Sequence, residues 1–292
     1  MFLESLSSPV ILTLSNLLEH IPADAASRCL CLDTFIAQTP WVAENNDGVS
    51  AEVNPDGLCF VLFTSGTTGR PNGVCVSHRN VCNILLTQPG QMGMAPGRTV
   101  GQILNIGFDM AAWEILGCLG HGATLLICGK DIAQTAAQCN VLIATPSILA
   151  TLDPLQCPDL KYVAVAGEAC SQALADRWAE HCTFYNGCGP TETTIVNTLH
   201  LHVPGAPSTI GRPTPNNTVY VFDYQGCACA IGADEKHVES VSDRGKTGLS
   251  EQHGSGADWQ RHYTTRCATT SRSRRPCGGA YVRDGLFGSP AR

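Results

Sequence analysis

The residues of this 292-residue chain whose types and spacing could do chemistry begin at Thr64. There the apolar run 58–63 leads directly into Thr64, Ser65, Gly66, Thr67, Thr68 and Gly69, followed by Arg70, Pro71, Asn72 and Gly73. An apolar run of that length, closed by glycine and hydroxyl residues, predicts a buried strand that delivers a polar loop to one edge of a sheet. Where side chains are missing, backbone N–H groups converge, and the threonine and serine hydroxyls add further donors. Such a loop is suited to wrapping an anion such as phosphate. It is not the loop of the common nucleoside triphosphatases: GxxxxGK[ST] fails because Gly66 is followed by Thr-Thr-Gly-Arg-Pro, and GxGxxG fails as well. Taken alone, a Gly/Thr stretch fits a plain strand-turn equally well.

A loop of this kind needs rigid elements to hold it. Apolar runs predict strands over 58–63, 100–106, 123–128, 141–144, 162–166 and 219–223. Helical patterns start at Ser77, a good N-cap, and cover 110–119 and 171–181. Strand and helix in alternation imply an α/β fold with a largely parallel sheet covered on both faces, and ligands in such sheets bind beyond the carboxyl ends of the strands. Beyond Asp223 the pattern stops. Residues 224–292 hold few large apolar residues, Val238, Val241, Leu249 and Trp259 among them, and Arg/Ser-rich runs such as 270–275. That is too little burial to offset an ordering cost of ~1–2 kcal/mol per residue, so this segment is expected to be disordered. The division expected is thus 1–223 and 224–292.

Charge changes at the same place. Up to Asp223 there are 8 Lys/Arg against 18 Asp/Glu, and beyond it 10 against 7. The basic run lies in no nucleic-acid-binding motif, and no nucleic-acid partner is expected. No stretch approaches the ~20 apolar residues of a membrane span. The N-terminus meets Glu4 before any basic residue, a poor match to a secretory signal, and a cytoplasmic protein is expected. The 16 cysteines include no Cys-x-x-Cys pair and the 9 histidines no HExxH, so neither a disulfide framework nor a Cys/His metal site is expected.

The loop closely resembles the phosphate loop of the acyl-adenylate-forming (AMP-binding) superfamily, in particular the adenylation domains of nonribosomal peptide synthetases. Phe-Asp-Met-Ala-Ala-Trp-Glu at 108–114, Val-Ala-Gly-Glu-Ala at 165–169, Asn-Gly-Cys-Gly-Pro-Thr-Glu-Thr-Thr at 186–194 and the run 210–223 follow in the family's order. The resemblance covers roughly residues 8–223. It implies layered, mostly parallel sheets with flanking helices, the N-terminal core of the adenylate-forming fold. It further implies amino-acid adenylation, in which ATP and an amino acid give aminoacyl-AMP and pyrophosphate, a ligase-type step of secondary metabolism. ATP and Mg²⁺ are the implied cofactors. The implied partners are an amino acid and a carrier-protein domain on another chain that bears the phosphopantetheine, which this chain does not carry.

On matching positions the resemblance assigns Thr64, Ser65, Gly66, Thr67, Thr68 and Gly69 to the ATP phosphates, with Gly167, Glu168 and Gly189 also at the nucleotide. Thr191 and Glu192 are the catalytic pair, and Glu192 is associated with the metal. Two anionic reactants make Mg²⁺ and fixed donors necessary. Asp109 would pair with the substrate's α-ammonium, since a buried carboxylate without a cation is costly. Met110, Trp113, Ile143, Ala164, Ala166, Gly187, Ile195 and Val196 would form the side-chain pocket. All are apolar, which suits a large apolar side chain.

The chain also departs from the family. Asn72 stands where a lysine is usual, and Cys188 where an adenine-stacking tyrosine is usual. After Asp223 neither the ribose-holding Thr-Gly-Asp motif nor the C-terminal subdomain with its lysine is recognisable, and the region before Thr64 is short. The expectation is a domain truncated at both ends with impaired adenylation. The alternative is an inactive fragment or pseudoenzyme that binds ATP weakly.

Overall fold

The computed structural model describes residues 10–25, 28–38, 52–64, 72–222, 237–242 and 247–250. It divides into two compact units, Met1–Val53 with Gly69–Pro71 and Asn54–Thr68 with Asn72–Arg292. In the smaller unit β1 (Ile11–Thr13) pairs in parallel with β2 (Cys29–Cys31), which runs into α1 (Leu32–Gln38). The Asp33 carboxylate accepts from the Ser15 backbone N–H at 3.0 Å, tying the helix to the turn after β1.

The larger unit begins with β3 (Leu58–Thr64), which pairs antiparallel with β4 (Asn72–Ser77) in a separate hairpin. The expected strand is present, but it is half-buried, with Leu58 exposed, where a buried strand was expected, and its partner is the next strand in sequence and not a parallel neighbour. Residues 65–71, between the two strands, lie outside the described residues. Next come α2 (His78–Leu86), β5 (Thr99–Gln102), α3 (Asp109–Gly120), β6 (Thr124–Ile127), α4 (Ile132–Ala136) and β7 (Val141–Ala144). They are followed by α5 (Pro146–Ala150), β8 (Tyr162–Val165), α6 (Gln172–Ala179), β9 (Thr183–Cys188), β10 (Thr198–Leu201), β11 (Arg212–Pro213) and β12 (Asn217–Phe222). Ser77 and Ser171 cap α2 and α6 by accepting from the backbone N–H three residues on, as their positions before apolar-periodic runs predict.

Among the described residues the central sheet has seven strands in the order β11-β10-β9-β8-β7-β5-β6. From β6 to β9 the pairing is parallel, and β10 and β11 are added antiparallel. Both faces are covered. Val141, Ile143 and Ala164 face one buried cluster with α2 and α3, whereas Leu142, Ala144, Val163 and Val165 face another with α6. Burial on both sides explains why β7 and β8 read as unbroken apolar runs. Each fully buried Val, Leu or Ile contributes ~1.5–3 kcal/mol.

Two boundaries differ from expectation. The strand expected over 100–106 stops at Gln102 because the Glu114 carboxylate takes the N–H groups of Ile103 and Leu104, at 3.0 and 3.3 Å, out of the ladder. Past Asp223, β12 pairs with β13 (His237–Ser242), which pairs with β14 (Thr247–Ser250), both antiparallel. Val238 and Val241 sit three apart, so no period of two announced that strand. The expectation of disorder for the rest of 224–292 falls outside the described residues. Among the described residues no helix is long and apolar enough to cross a membrane.

Candidate functional site

The carboxyl ends of β7, β8 and β9 lead into the segments that carry the candidate residues. β8 runs into Ala166, Gly167 and Glu168, and β9 into Gly189, Pro190 and a 3-10 turn at Thr191–Thr193. Gly189 is required by close approach. A Cβ there would stand 2.6 Å from Val196 Cα and 2.8 Å from Asn197 N, and backbone atoms cannot yield as a flexible side chain can. Within the turn, Thr193 N–H donates to Pro190 O at 2.9 Å and Thr194 N–H to Thr191 O at 3.1 Å. The chain then passes through Thr194 and Ile195 at φ of 70° and 66°. Two consecutive β-branched residues in left-handed conformation cost of order 1–3 kcal/mol each, and strain of this kind gathers at functional sites. Gly189→Ala is therefore expected to displace the turn and lower the unfolding midpoint, with a loss on the order of 3 kcal/mol. An unchanged thermal melt would contradict this account of the turn.

Asp109 opens α3 and is buried. Its Oδ2 accepts from Ile195 N–H at 3.2 Å, and Thr191 donates its hydroxyl to the same carboxylate. Burial pushes its pKa up to about 6, against the pull of the Ile195, Thr191 and Met110 donors. Phe108 is the helix N-cap and makes no side-chain bond there, so Asp109 serves the helix end and the turn together. No cation faces Asp109 among the described residues, so it is a buried carboxylate with hydrogen-bond donors and no counter-charge.

Met110, Trp113, Ile143, Ala164, Ala166, Ile195 and Val196 belong to a single buried cluster next to Asp109. Gly187 lies on the same side, where its missing Cβ would come within 3.1 Å of Val196 Cγ1. Trp113 is fixed by donating its indole N–H to Gly90 O at 2.7 Å. The Met110 sulfur reaches the end of β8, 3.6 Å from the position of a Cβ on Gly167, whose φ is 84°. The residues expected to form the side-chain pocket are thus brought together, packed against one another with the flexible Met110 thioether among them.

Thr64 ends β3, and Ser65, Gly66, Thr67, Thr68 and Gly69 lie outside the described residues. β4 packs against the turn Thr191–Thr193, so the hairpin that carries the glycine-rich loop adjoins Thr191 and Glu192. Glu168 is exposed and accepts from Ser147 N–H at 3.0 Å and from the Ser147 hydroxyl. Cys188 is buried. Glu192 is half-buried and makes no hydrogen bond or ion pair among the described residues, which leaves a carboxylate suited to a hard cation.

Sequence reasoning gave no role to Glu114, Thr194 or Asn80. Glu114 is fully buried, with Ile103 N–H, Leu104 N–H and the Gln102 amide donating to it. Burial raises its pKa to about 8. Its only signal in the sequence is an acid on an otherwise apolar helix face. Asn80 Nδ2 approaches Thr194 Oγ1 at 3.4 Å, a pairing 114 residues apart that no local pattern announces.

A family model described as AMP-binding enzyme matches residues 2–234. Adenylate-forming reductase 03009 of Coprinopsis cinerea is 54% identical over 167 residues, which are 56% of this chain and 16% of that protein. Adenylate-forming reductase 06235 of the same fungus is 45% identical over 223 residues, 74% of this chain and 21% of the relative. Nonribosomal peptide synthetase 5 of Aspergillus fumigatus is 38% identical over 171 residues, 58% of this chain and 8% of the relative. The chain therefore spans about a fifth or less of the length of these relatives. Among solved structures, the Vibrio cholerae adenylation domain AlmE in complex with glycyl-adenosine-5'-phosphate superposes with a TM-score of 0.60 at 23% identity, covering 67% of this chain and 41% of that one. The likeness is one of fold: an α/β core with a mostly parallel sheet and flanking helices.

Proposed function

The chain belongs to the AMP-binding enzyme family, and from that premise we propose that it carries the acid-activating part of an amino-acid-adenylating site. The observation that supports this most is Asp109: a buried carboxylate supplied with hydrogen-bond donors, without a counter-charge among the described residues, beside an apolar cluster. An α-ammonium would supply the missing charge, whereas a plain fatty or aryl acid would leave Asp109 buried and unpaired. Because relatives named adenylate-forming reductases stand beside others named peptide synthetases, the reading is confined to adenylate formation.

In this reading Asp109 holds the ammonium, and the wall from Met110 to Val196 takes an apolar side chain. The Thr191 hydroxyl and the loop Thr64–Gly69 donate to phosphate oxygens. Glu192 would hold Mg²⁺, which when bound neutralises charge on those oxygens. Gly167, Glu168 and Gly189 border the nucleotide. Asn72 and Cys188, in place of a lysine and a tyrosine, supply neither a charge nor an aromatic face, so nucleotide affinity is weak. The adenylate is passed to a carrier-protein domain in the cytoplasm, where the phosphopantetheine is carried.

The test pairs each amino acid with its deamino twin. Leucine is compared with 4-methylpentanoate and phenylalanine with 3-phenylpropanoate, by calorimetry on the chain with Mg-ATP and by ATP/pyrophosphate exchange. The amino acids should bind at least tenfold more tightly than their twins, a difference of about 1.4 kcal/mol or more. Equal binding of the twins would overturn the ammonium reading. Mg-ATP binding should weaken in Thr67→Ala and Glu192→Ala, and an affinity unchanged from that of the natural chain in both variants would remove the nucleotide assignment.

A further inference from the structure

Asp109 holds two points of the same turn. Its carboxylate takes the Thr191 hydroxyl at the start and Ile195 N–H at the end, with Glu192 between them. Between the same two points the backbone enters its left-handed step at Thr194 and Ile195. A β-branched residue does not rest there unless its surroundings fix it. Here the fixing contacts are Thr194 N–H to Thr191 O at 3.1 Å, Asn80 Nδ2 near Thr194 Oγ1 at 3.4 Å, and the Asp109 bond to Ile195 at 3.2 Å. On the other side Gly189 runs so close to the chain that a Cβ there would stand 2.6 Å from Val196 Cα and 2.8 Å from Asn197 N, so the turn has no room to shift in that direction.

We propose that Thr194 is a positioning residue, and that the strained Thr194–Ile195 step, held by Asp109, transmits occupancy of the acid-activating pocket to the Thr191–Glu192 turn. This inference rests on the adenylating reading for the identity of the two ligands, an α-amino acid and Mg-ATP. An ammonium at Asp109 competes for the charge that Ile195 N–H and the Thr191 hydroxyl share. When that hold loosens, the step relaxes and the Thr191 hydroxyl is freed to donate to phosphate. Coupling is reciprocal: if the amino acid tightens Mg-ATP, Mg-ATP tightens the amino acid by the same factor, typically about 5- to 150-fold. Thr194→Gly removes the strain at the first of the two positions, because glycine takes positive φ freely, and with it the Asn80 contact, while Asp109, Thr191 and Glu192 stay in place.

Two arms test this on the full chain. Without ligand, hydrogen exchange is followed over residues 191–195. Asp109→Asn should speed exchange about tenfold at Ile195 and also at 192–194, whereas in the Thr194→Gly background the same change should be confined to Ile195. Thr191→Val, which removes the other bond to the carboxylate, serves as the second perturbation if Asp109→Asn does not fold. Protection at 192–194 that ignores both substitutions overturns the proposal. With ligands, leucine or phenylalanine should tighten the Mg-complex of a non-hydrolysable ATP analogue about tenfold in the natural chain and less than twofold in Thr194→Gly. Coupling of equal size in both chains also overturns it. Transmission seen by exchange in a chain that binds neither ligand would sink the adenylating reading and leave the mechanical link standing.

Discussion

Asp109→Asn is expected to lower amino-acid-dependent pyrophosphate exchange by about 10²–10⁴-fold without weakening Mg-ATP binding. Removing one partner of a buried charge pair costs about 3–5 kcal/mol, which converts to a loss of that size. The same carboxylate dictates a pH profile. Its pKa in the folded chain is raised to about 6 by burial, and only the ionised form pairs with an ammonium. Below pH 6 the KM for the amino acid should therefore rise about tenfold per unit, with kcat less affected because bound ammonium draws the pKa down again. Stability moves the opposite way. Between the model-peptide value of 3.8 and about 6 the folded chain keeps a proton that the unfolded chain has lost. The contribution of this group is thus full below 3.8 and is lost as pH rises through 6. Asp109→Asn should flatten that slope. A KM with no pH dependence between 5 and 7 would detach Asp109 from the substrate.

Part of this site was legible in the sequence because its signals are local. Ser77 and Ser171 cap their helices where they precede apolar-periodic runs, and β7 and β8 are unbroken apolar stretches because both of their faces are covered. The ordered strings from Thr64 to Thr194 pointed to the family. What was not legible depends on residues far apart in the chain. The early end of β5, for example, follows from an acid eleven residues after Ile103. The left-handed step at Thr194 and Ile195 is hidden because β-branched residues there argue for extended chain. The segment β9–β10 was not foreseen either. Its residues Asn186 and His200 are polar yet lie in the sheet, where Asn186 Nδ2 is satisfied by Thr209 O at 2.9 Å.

Glu114→Ala is expected to cause the largest loss of stability among single substitutions near the site. The carboxyl group sits wholly buried in α3 and accepts from Ile103 N–H at 3.0 Å and Leu104 N–H at 3.3 Å, with the Gln102 amide at 3.4 Å. Truncation leaves two backbone N–H groups without an acceptor, at about 1–3 kcal/mol each, and adds a cavity, so about 3–6 kcal/mol is expected. Glu114→Gln keeps one acceptor oxygen and should cost only ~1 kcal/mol at neutral pH. The two variants separate hydrogen bonding from charge. Burial raises the Glu114 pKa from 4.5 to about 8, so between those values the folded chain holds a proton that the unfolded chain releases. Its contribution to stability is present in full below 4.5 and is lost as pH rises through 8. Urea midpoints measured at pH 6, 7 and 8.5 should accordingly fall in the natural chain more steeply than in Glu114→Gln, and parallel slopes would mean that Glu114 is ionised throughout. The consequence reaches the site, because residues 103–108 connect β5 to Asp109 and Glu114 is what holds their first two amides. Glu114→Ala should therefore weaken amino-acid binding even at temperatures where the variant stays folded, and Glu114→Gln should restore it.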